Sequence, residues 1–186
     1  MSDQITFETY RNLAESLKGK DLVQLIANKL EPIWSENYMR SYSPTELTFV
    51  DFPAGEFFFF SYLFDINRGR NVVAFGIPKY LKQTRSSRIE DHPLGAPKGL
   101  YAKGHLLANN LDGGLDINII PQLSKVNNGP FKSMEMRLMN LSKKGGHSFY
   151  SIRCLYPDNV SQVPQFLEQC VIWPDGRVEY KLHPNM

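Results

Sequence analysis

The stretch from Tyr101 to Glu135 brings together an imidazole, an ammonium group, several amides and a carboxylate. It contains Lys103-Gly104-His105, a Gly113-Gly114 pair, the run Asn118-Ile-Ile-Pro-Gln122, the triplet Asn127-Asn128-Gly129, and Glu135. Hydrolysing a phosphodiester calls for a group that activates water, a cation for the charge growing on the phosphate, and a side chain for a free oxygen. An imidazole ordinarily titrates near neutrality, so His105 suits the base. Lys103, two residues earlier on a strand, falls on the same face and suits the phosphate. A hard cation such as Mg²⁺ prefers oxygen ligands and keeps several waters, so one amide oxygen and groups behind it suffice. Asn127 and Asn128 both offer that oxygen, and spacing alone does not separate them.

These residues need elements to hold them. Gly99 to Leu107 reads as a strand or strand end, and Ile117 to Ile120 as a short strand stopped by Pro121. A helix is predicted to begin near Asn127 or Asn128, with Pro130 in its first turn, where a missing N–H costs nothing. Phe131, Met134, Leu138 and Leu141 form its apolar stripe. Glu135 lies about 40° from Phe131 on the helical wheel. A carboxylate so near a buried stripe needs a partner, because an unpaired buried charge is costly. Lys143-Lys144-Gly145-Gly146 closes the helix.

The remainder reads as scaffold. Phe7, Tyr10, Leu13, Ala14 and Leu17 recur at helical spacing, and a second helix carrying Leu22, Leu25, Ile26 and Leu30 is predicted to stop at Pro32. Residues 38–44 follow as an irregular connector. From Glu46 the runs LTFVDF, EFFFFSYLF and NVVAFGI read as antiparallel strands, and FYSIRCLY, EQCVIW and RVEYKL as three more, the last two joined at Pro174-Asp-Gly176. Residues 78–98, with three prolines and many charges, read as a long surface loop. The expected architecture is α+β, a central antiparallel sheet carrying a strand-loop-strand-helix unit. Residues 1–45 form a helical extension and residues 46–186 the main domain.

Composition narrows the classes further. A chain of 186 residues with 42% hydrophobic side chains can build one substantial core. No apolar run reaches the roughly 18 residues that span a bilayer, and the first residues lack the order of a signal peptide. This predicts a cytoplasmic chain as encoded, or one exported by a dedicated secretion system. Cys154 and Cys170 are too few for a disulfide framework and read as buried small residues. The net charge of +2 is uneven. Residues 1–65 carry 5 Lys/Arg against 10 Asp/Glu, and residues 66–104 carry 8 against 2. That basic block, with Arg70, Arg85 and Arg88, runs into Lys103 and suits a polyanion backbone.

Gly104-His105, Asn118-Ile-Ile-Pro-Gln122, Asn127-Asn128-Gly129 and Glu135, taken with their intervals, resemble the DNA/RNA non-specific endonuclease family, the ββα-metal nucleases of the Serratia nuclease type. The short loop with its Gly-Gly is similar to the branch of bacterial DNA-entry and toxin nucleases. The resemblance implies a ββα-metal core, Mg²⁺ (with Mn²⁺ or another divalent ion as substitutes), and DNA or RNA as substrate. It implies His105 as general base, Asn127 as the direct metal ligand, and Glu135 as organiser of the metal's waters. Asn118 becomes an active-site or supporting amide, and Arg70 a second phosphate-binding arginine on an earlier strand. Lys103 stands where the family carries arginine, and Ala102 where many members carry an acid. Lysine keeps the charge and loses the bidentate fork, which loosens the hold on phosphate.

The reading is a Mg²⁺-dependent endonuclease without sequence preference, of the kind used as a toxin effector. An inhibitor or immunity protein is the implied partner, because such an activity endangers the cell that makes it. The altered Ala102 and Lys103 define the alternative, a weakened or inactive relative that only binds nucleic acid.

Overall fold

The computed structural model describes residues 5–16, 22–54, 58–82, 96–97, 99–113 and 116–186. The β-branched and aromatic runs form one six-stranded antiparallel sheet: β1 (Leu47–Ala54), β2 (Phe58–Asp65), β3 (Arg70–Gly76), β6 (Phe149–Leu155), β7 (Phe166–Ile172) and β8 (Val178–Pro184). The strands lie in the order β1-β2-β3-β6-β7-β8. The β2–β3 turn is closed by Gly69 at φ 61°, and the β7–β8 turn by Gly176 at φ 83°. These are left-handed conformations that a side chain would strain. Strand β3 is buried at every position, which is why its sequence is apolar without alternation. Cys154 and Cys170 are both buried and free; they sit on adjacent strands, separated in register.

Between the central strands β3 and β6 the chain leaves the sheet. There it builds a two-stranded hairpin, β4 (Tyr101–His105) with β5 (Ile119–Leu123), followed by a helix. Side-chain alternation separates two faces of the sheet. One face presents Tyr150, Gln169 and His183 to this hairpin-helix unit, where Phe131 lies 5.1 Å from the His183 ring. The other presents Phe75, Arg153 and Glu168 to the N-terminal helices. The protein is therefore three layers deep.

The N-terminal layer consists of α1 (Phe7–Ser16) and α2 (Leu22–Tyr42). Tyr10, Leu13 and Ala14 of α1 and Leu30, Trp34 and Tyr38 of α2 are buried in the core shared with the sheet. Here the sequence expectation needs correcting, since α2 runs through Pro32 instead of ending there. A proline inside a helix costs about 3 kcal/mol. Burying Trp34 and Tyr38, one turn apart, offsets it: Trp34 packs 4.9 Å from Phe75, and the Tyr38 hydroxyl donates to Asp65 Oδ2 at 2.7 Å. The helix stops at Ser43, whose φ of 45° and N–H to the Met39 carbonyl, at 2.9 Å, make a left-handed C-terminus.

Under α1 lies a buried ionic knot. Glu168, 1% exposed, pairs with Arg153 and accepts from the Tyr10 hydroxyl at 2.7 Å and the Tyr180 hydroxyl at 3.0 Å. Trp34 Nε1 donates in turn to the Tyr10 oxygen at 3.3 Å. Among the described residues no helix is long and apolar enough to cross a membrane.

Candidate active site

Strands β4 and β5 pair with Lys103 opposite Pro121 and His105 opposite Ile119. Lys103 and His105, two apart, therefore share one face of the hairpin, as the spacing predicts, and both are half-buried. Gly104 between them faces the other way, and any side chain there would be crushed. A Cβ on Gly104 would lie 2.1 Å from Gln122 Oε1 and 2.5 Å from Gln122 Cβ. Gln122 is fully buried across the glycine, and its amide finds no hydrogen-bond partner among the described residues.

Immediately after His105 the chain arches through Leu106 and Leu107, and that arch is held from two sides. Asn118, fully buried, accepts from the Leu107 N–H at 2.9 Å and donates to the Leu107 carbonyl at 2.7 Å. The Leu106 N–H reaches the Asn118 carbonyl at 2.9 Å. This geometry gives Asn118 a positioning place behind His105. Gly113 closes the other side, where a Cβ would come within 1.9 Å of the Leu107 carbonyl oxygen. That obstacle is backbone and cannot rotate away. Gly113→Ala is expected to lower stability by at least about 1–3 kcal/mol, the usual cost of overpacking, and to disturb the His105 arch. Thermal melting of the variant against the wild type checks this.

From Leu123 the chain passes into helix with no loop. α3 (Ser124–Val126) continues through a π turn (Asn127–Phe131) into α4 (Lys132–Lys143). The expectation of a start at Asn127 or Asn128 is thus one turn late, and Pro130 lies inside the helical run. A proline there has no N–H to give and its ring crowds the carbonyl four residues back. The turn opens, and the Lys132 N–H bonds to the Asn127 carbonyl five residues behind. Single π turns of this kind are frequent at functional positions. The same geometry distinguishes the two asparagines. Asn128 is exposed with its amide donating to the Ser124 carbonyl at 3.0 Å, whereas Asn127 is half-buried.

Phe131, Met134 and Leu138 are buried, as their periodicity predicts. Glu135 sits beside them. Its carboxylate has no hydrogen bond from any described residue, and burial pushes its pKa up to about 7, a rise that Lys132 only moderates. The sign of the resulting pH dependence is fixed. A folded pKa above the ordinary glutamate value of 4.5 means that, between the two, the folded state holds a proton the unfolded state has released. Stability therefore falls as pH rises from about 4.5 through about 7. Glu135→Gln removes that slope. In the absence of divalent ions the variant is expected to melt above the wild type at pH 8, with the gap closing near pH 4. Melting curves across that range test it.

The basic block divides. Arg70 is 2% exposed, on the α2 side of the sheet. Its guanidinium donates to the Tyr38 hydroxyl at 2.7 Å and to the Asp158 and Ser161 carbonyls at 3.0 and 2.8 Å, and stacks 4.0 Å from the Tyr156 ring centroid. The structure thus corrects Arg70 from a phosphate contact to a core cation, enclosed by aromatic rings and facing away from the hairpin. The neighbouring Asn71 points the other way, to the Ile117 carbonyl. Arg68 is likewise engaged, with Asp65 at 2.8 Å. Arg85 and Arg88 lie outside the described residues.

Among the described residues no group of three or more His, Cys, Asp or Glu side chains is arranged to enclose a metal. That rules out a multi-carboxylate or thiolate cage built from them. The donor set fits a hydrated hard cation, with a half-buried amide at Asn127 and a desolvated, unpaired carboxylate at Glu135 on the same helix. Sequence reasoning missed the groups on the sheet beneath the helix, Tyr150, Gln169, His183 and Asn185. They lie in segments whose pattern signals strand and nothing more.

A hairpin carrying a lysine and a histidine thus leads into a helix carrying an amide and a half-buried carboxylate, a ββα arrangement. The profile of the DNA/RNA non-specific endonuclease family matches residues 71–169, just over half of the chain, and the chain belongs to that family. It is thus a phosphodiester hydrolase of a divalent-metal-dependent class. Its fold is similar to NucA from Streptococcus agalactiae crystallised with magnesium bound, with a TM-score of 0.60 at 17% identity over 82% of this chain and 89% of NucA. The metal-free crystal structure of NucA gives 0.58 at 16% identity, covering 82% and 88%. Comparison with curated proteins gives no match.

Proposed function

We propose that the protein is a Mg²⁺-dependent endonuclease that cuts DNA, RNA or both without reading base sequence. The observation that carries this is Glu135, a half-buried carboxylate with no hydrogen bond from a described residue, on the helix that follows Lys103 and His105. Such a group costs stability unless a cation comes to it. A bound divalent ion supplies that charge and neutralises the charge that grows on the phosphate during hydrolysis. Asn127 would offer the ion an amide oxygen, and Glu135 would hold its waters. His105 takes the proton of the attacking water on a ring nitrogen. Lys103, on the same strand face, holds a free phosphate oxygen. Asn118 positions His105 through the Leu107 backbone. Magnesium bound to NucA supports the choice of ion.

The expected result is complete loss of plasmid and RNA cleavage in excess EDTA, restored by Mg²⁺ or Mn²⁺. Activity that persists in EDTA would exclude the reading. A nuclease of this kind endangers its own cell, so we further infer export as a toxin or restraint by an inhibitor protein. Co-purification of a small partner that blocks cleavage would support this; vigorous growth of cells making the active chain alone would remove it.

A further inference from the structure

The basic block loses Arg68 and Arg70 to the fold, but its next segment is brought to the far end of the candidate helix. The Tyr80 N–H donates to Ser142 Oγ at 2.8 Å, and the Leu81 N–H to the Asn110 carbonyl at 3.1 Å. Tyr80 and Leu81 are thereby tied to the end of α4 and to the short 3₁₀ turn Asn109–Leu111, which follows the His105 arch. Ser142 stands seven residues after Glu135 on the same helix. At 100° per residue that is about 20° short of two full turns, so the two share one helix face, roughly 10 Å apart along the axis.

What gathers there is positive. Residues 76–82 carry Lys79 and Lys82, residues 136–148 carry Arg137, Lys143 and Lys144, and neither stretch has an acid. Arg137 turns to Glu179, and Lys79 acts on the Asp112 carboxylate. Lys82, Lys143 and Lys144 are exposed. The Lys143 ammonium sits over the Tyr80 ring, 4.3 Å from its centroid. A lysine that swings freely gives up rotamer entropy when it binds. One already resting on a ring, whose backbone is itself tied to the helix, gives up less. The negative end of the helix accounts for Lys143 and Lys144. It does not account for Lys82, which comes from a separate segment two residues beyond Tyr80.

We propose that Lys143 and Lys82 form a second phosphate-binding position, which holds the nucleic-acid backbone at a distance from the bond that is cut. Lys143 lies eight residues beyond Glu135, about 12 Å along the helix. A duplex strand places one phosphate about every 3.4 Å of its axis, so the position takes a phosphate roughly three to four nucleotides from the scissile one. Both lysines act on binding and neither touches the reacting atoms. The inference rests on the reading of the protein as a nuclease with its centre at His105 and Glu135, and it adds a requirement for substrate that extends past that centre.

The test is cleavage of DNA and RNA duplexes of about 30 base pairs, several times the span proposed, by the full chain with Mg²⁺ over a range of salt concentrations. Wild type, Lys143→Gln, Lys82→Gln, the double variant and Lys143→Arg are compared. Removing one phosphate contact lowers the salt slope of binding by about 1. Each Gln variant is therefore expected to raise KM about 3- to 10-fold near 0.1 M salt and to flatten the slope of log KM against log salt by about 1, with kcat unchanged. Lys143→Arg, which keeps the charge, is expected to retain both the KM and the slope. A double variant with the KM and salt slope of the wild type would overturn the proposal. So would a fall in kcat or melting temperature with the slope intact, the mark of lysines that serve only the fold. If the wild type cleaves neither duplex, the nuclease reading itself falls, and the proposal with it.

Discussion

Replacing His105 with alanine is expected to reduce cleavage of plasmid and RNA by roughly 10²- to 10⁴-fold, the usual contribution of a positioned general base, and to leave the fold in place. The imidazole is half-buried at the end of β4, and the groups that secure its backbone are elsewhere. The His105 backbone pairs across the hairpin with Ile119, and the arch beyond it is tied to Asn118. Removing the side chain therefore leaves these main-chain bonds intact. Cleavage rates measured beside circular dichroism and melting separate chemistry from folding. A variant with full activity would exclude His105 as the base, whatever the metal dependence.

The second large effect lies on the opposite face of the sheet and concerns stability alone. Glu168→Ala is expected to cost about 3–5 kcal/mol, the range for breaking one side of a buried ion pair. Arg153, its side chain 11% exposed, would lose its counter-charge, and the hydroxyls of Tyr10 and Tyr180 would lose their shared acceptor. For a chain of this size that is a fall in melting temperature on the order of 10 °C. The same knot ties α1 to β7 and β8, so the N-terminal helix should become protease-sensitive in the variant. A change within a degree or two of wild type would show that the knot contributes little. Replacing Glu168, Arg153 and Tyr180 together by apolar residues is expected to be far milder, because no unpaired charge is left behind.

Much of this was legible in the sequence because the signals were local. Alternation and aromatic runs marked the strands of the sheet, and the stripe Phe131, Met134, Leu138 marked the core face of α4. The two-residue interval put Lys103 and His105 on one face. What escaped depended on partners distant in sequence. Nothing around Pro32 shows that Trp34 will pack on Phe75 and hold the helix through the proline. Nothing around Arg70 shows that three tyrosines, two of them from α2, will enclose it. The helix start was misread for a different reason: a proline two residues after an asparagine is the usual mark of a first turn, and here the chain accommodates it by widening a later one.

Asn185 is fully buried and clamps the strand that launches the candidate helix. Its side chain accepts from the Leu123 N–H at 2.8 Å and donates to the Pro121 and Pro164 carbonyls at 3.0 and 2.9 Å. The Tyr101 hydroxyl reaches its carbonyl at 3.0 Å. A ribosome must therefore translate some sixty residues past Leu123 before the clamp exists. Until then β4 and β5 lack their brace, and the sheet beneath them lacks β8. A partly synthesised chain therefore carries its candidate site unbraced until the C-terminal strand has emerged.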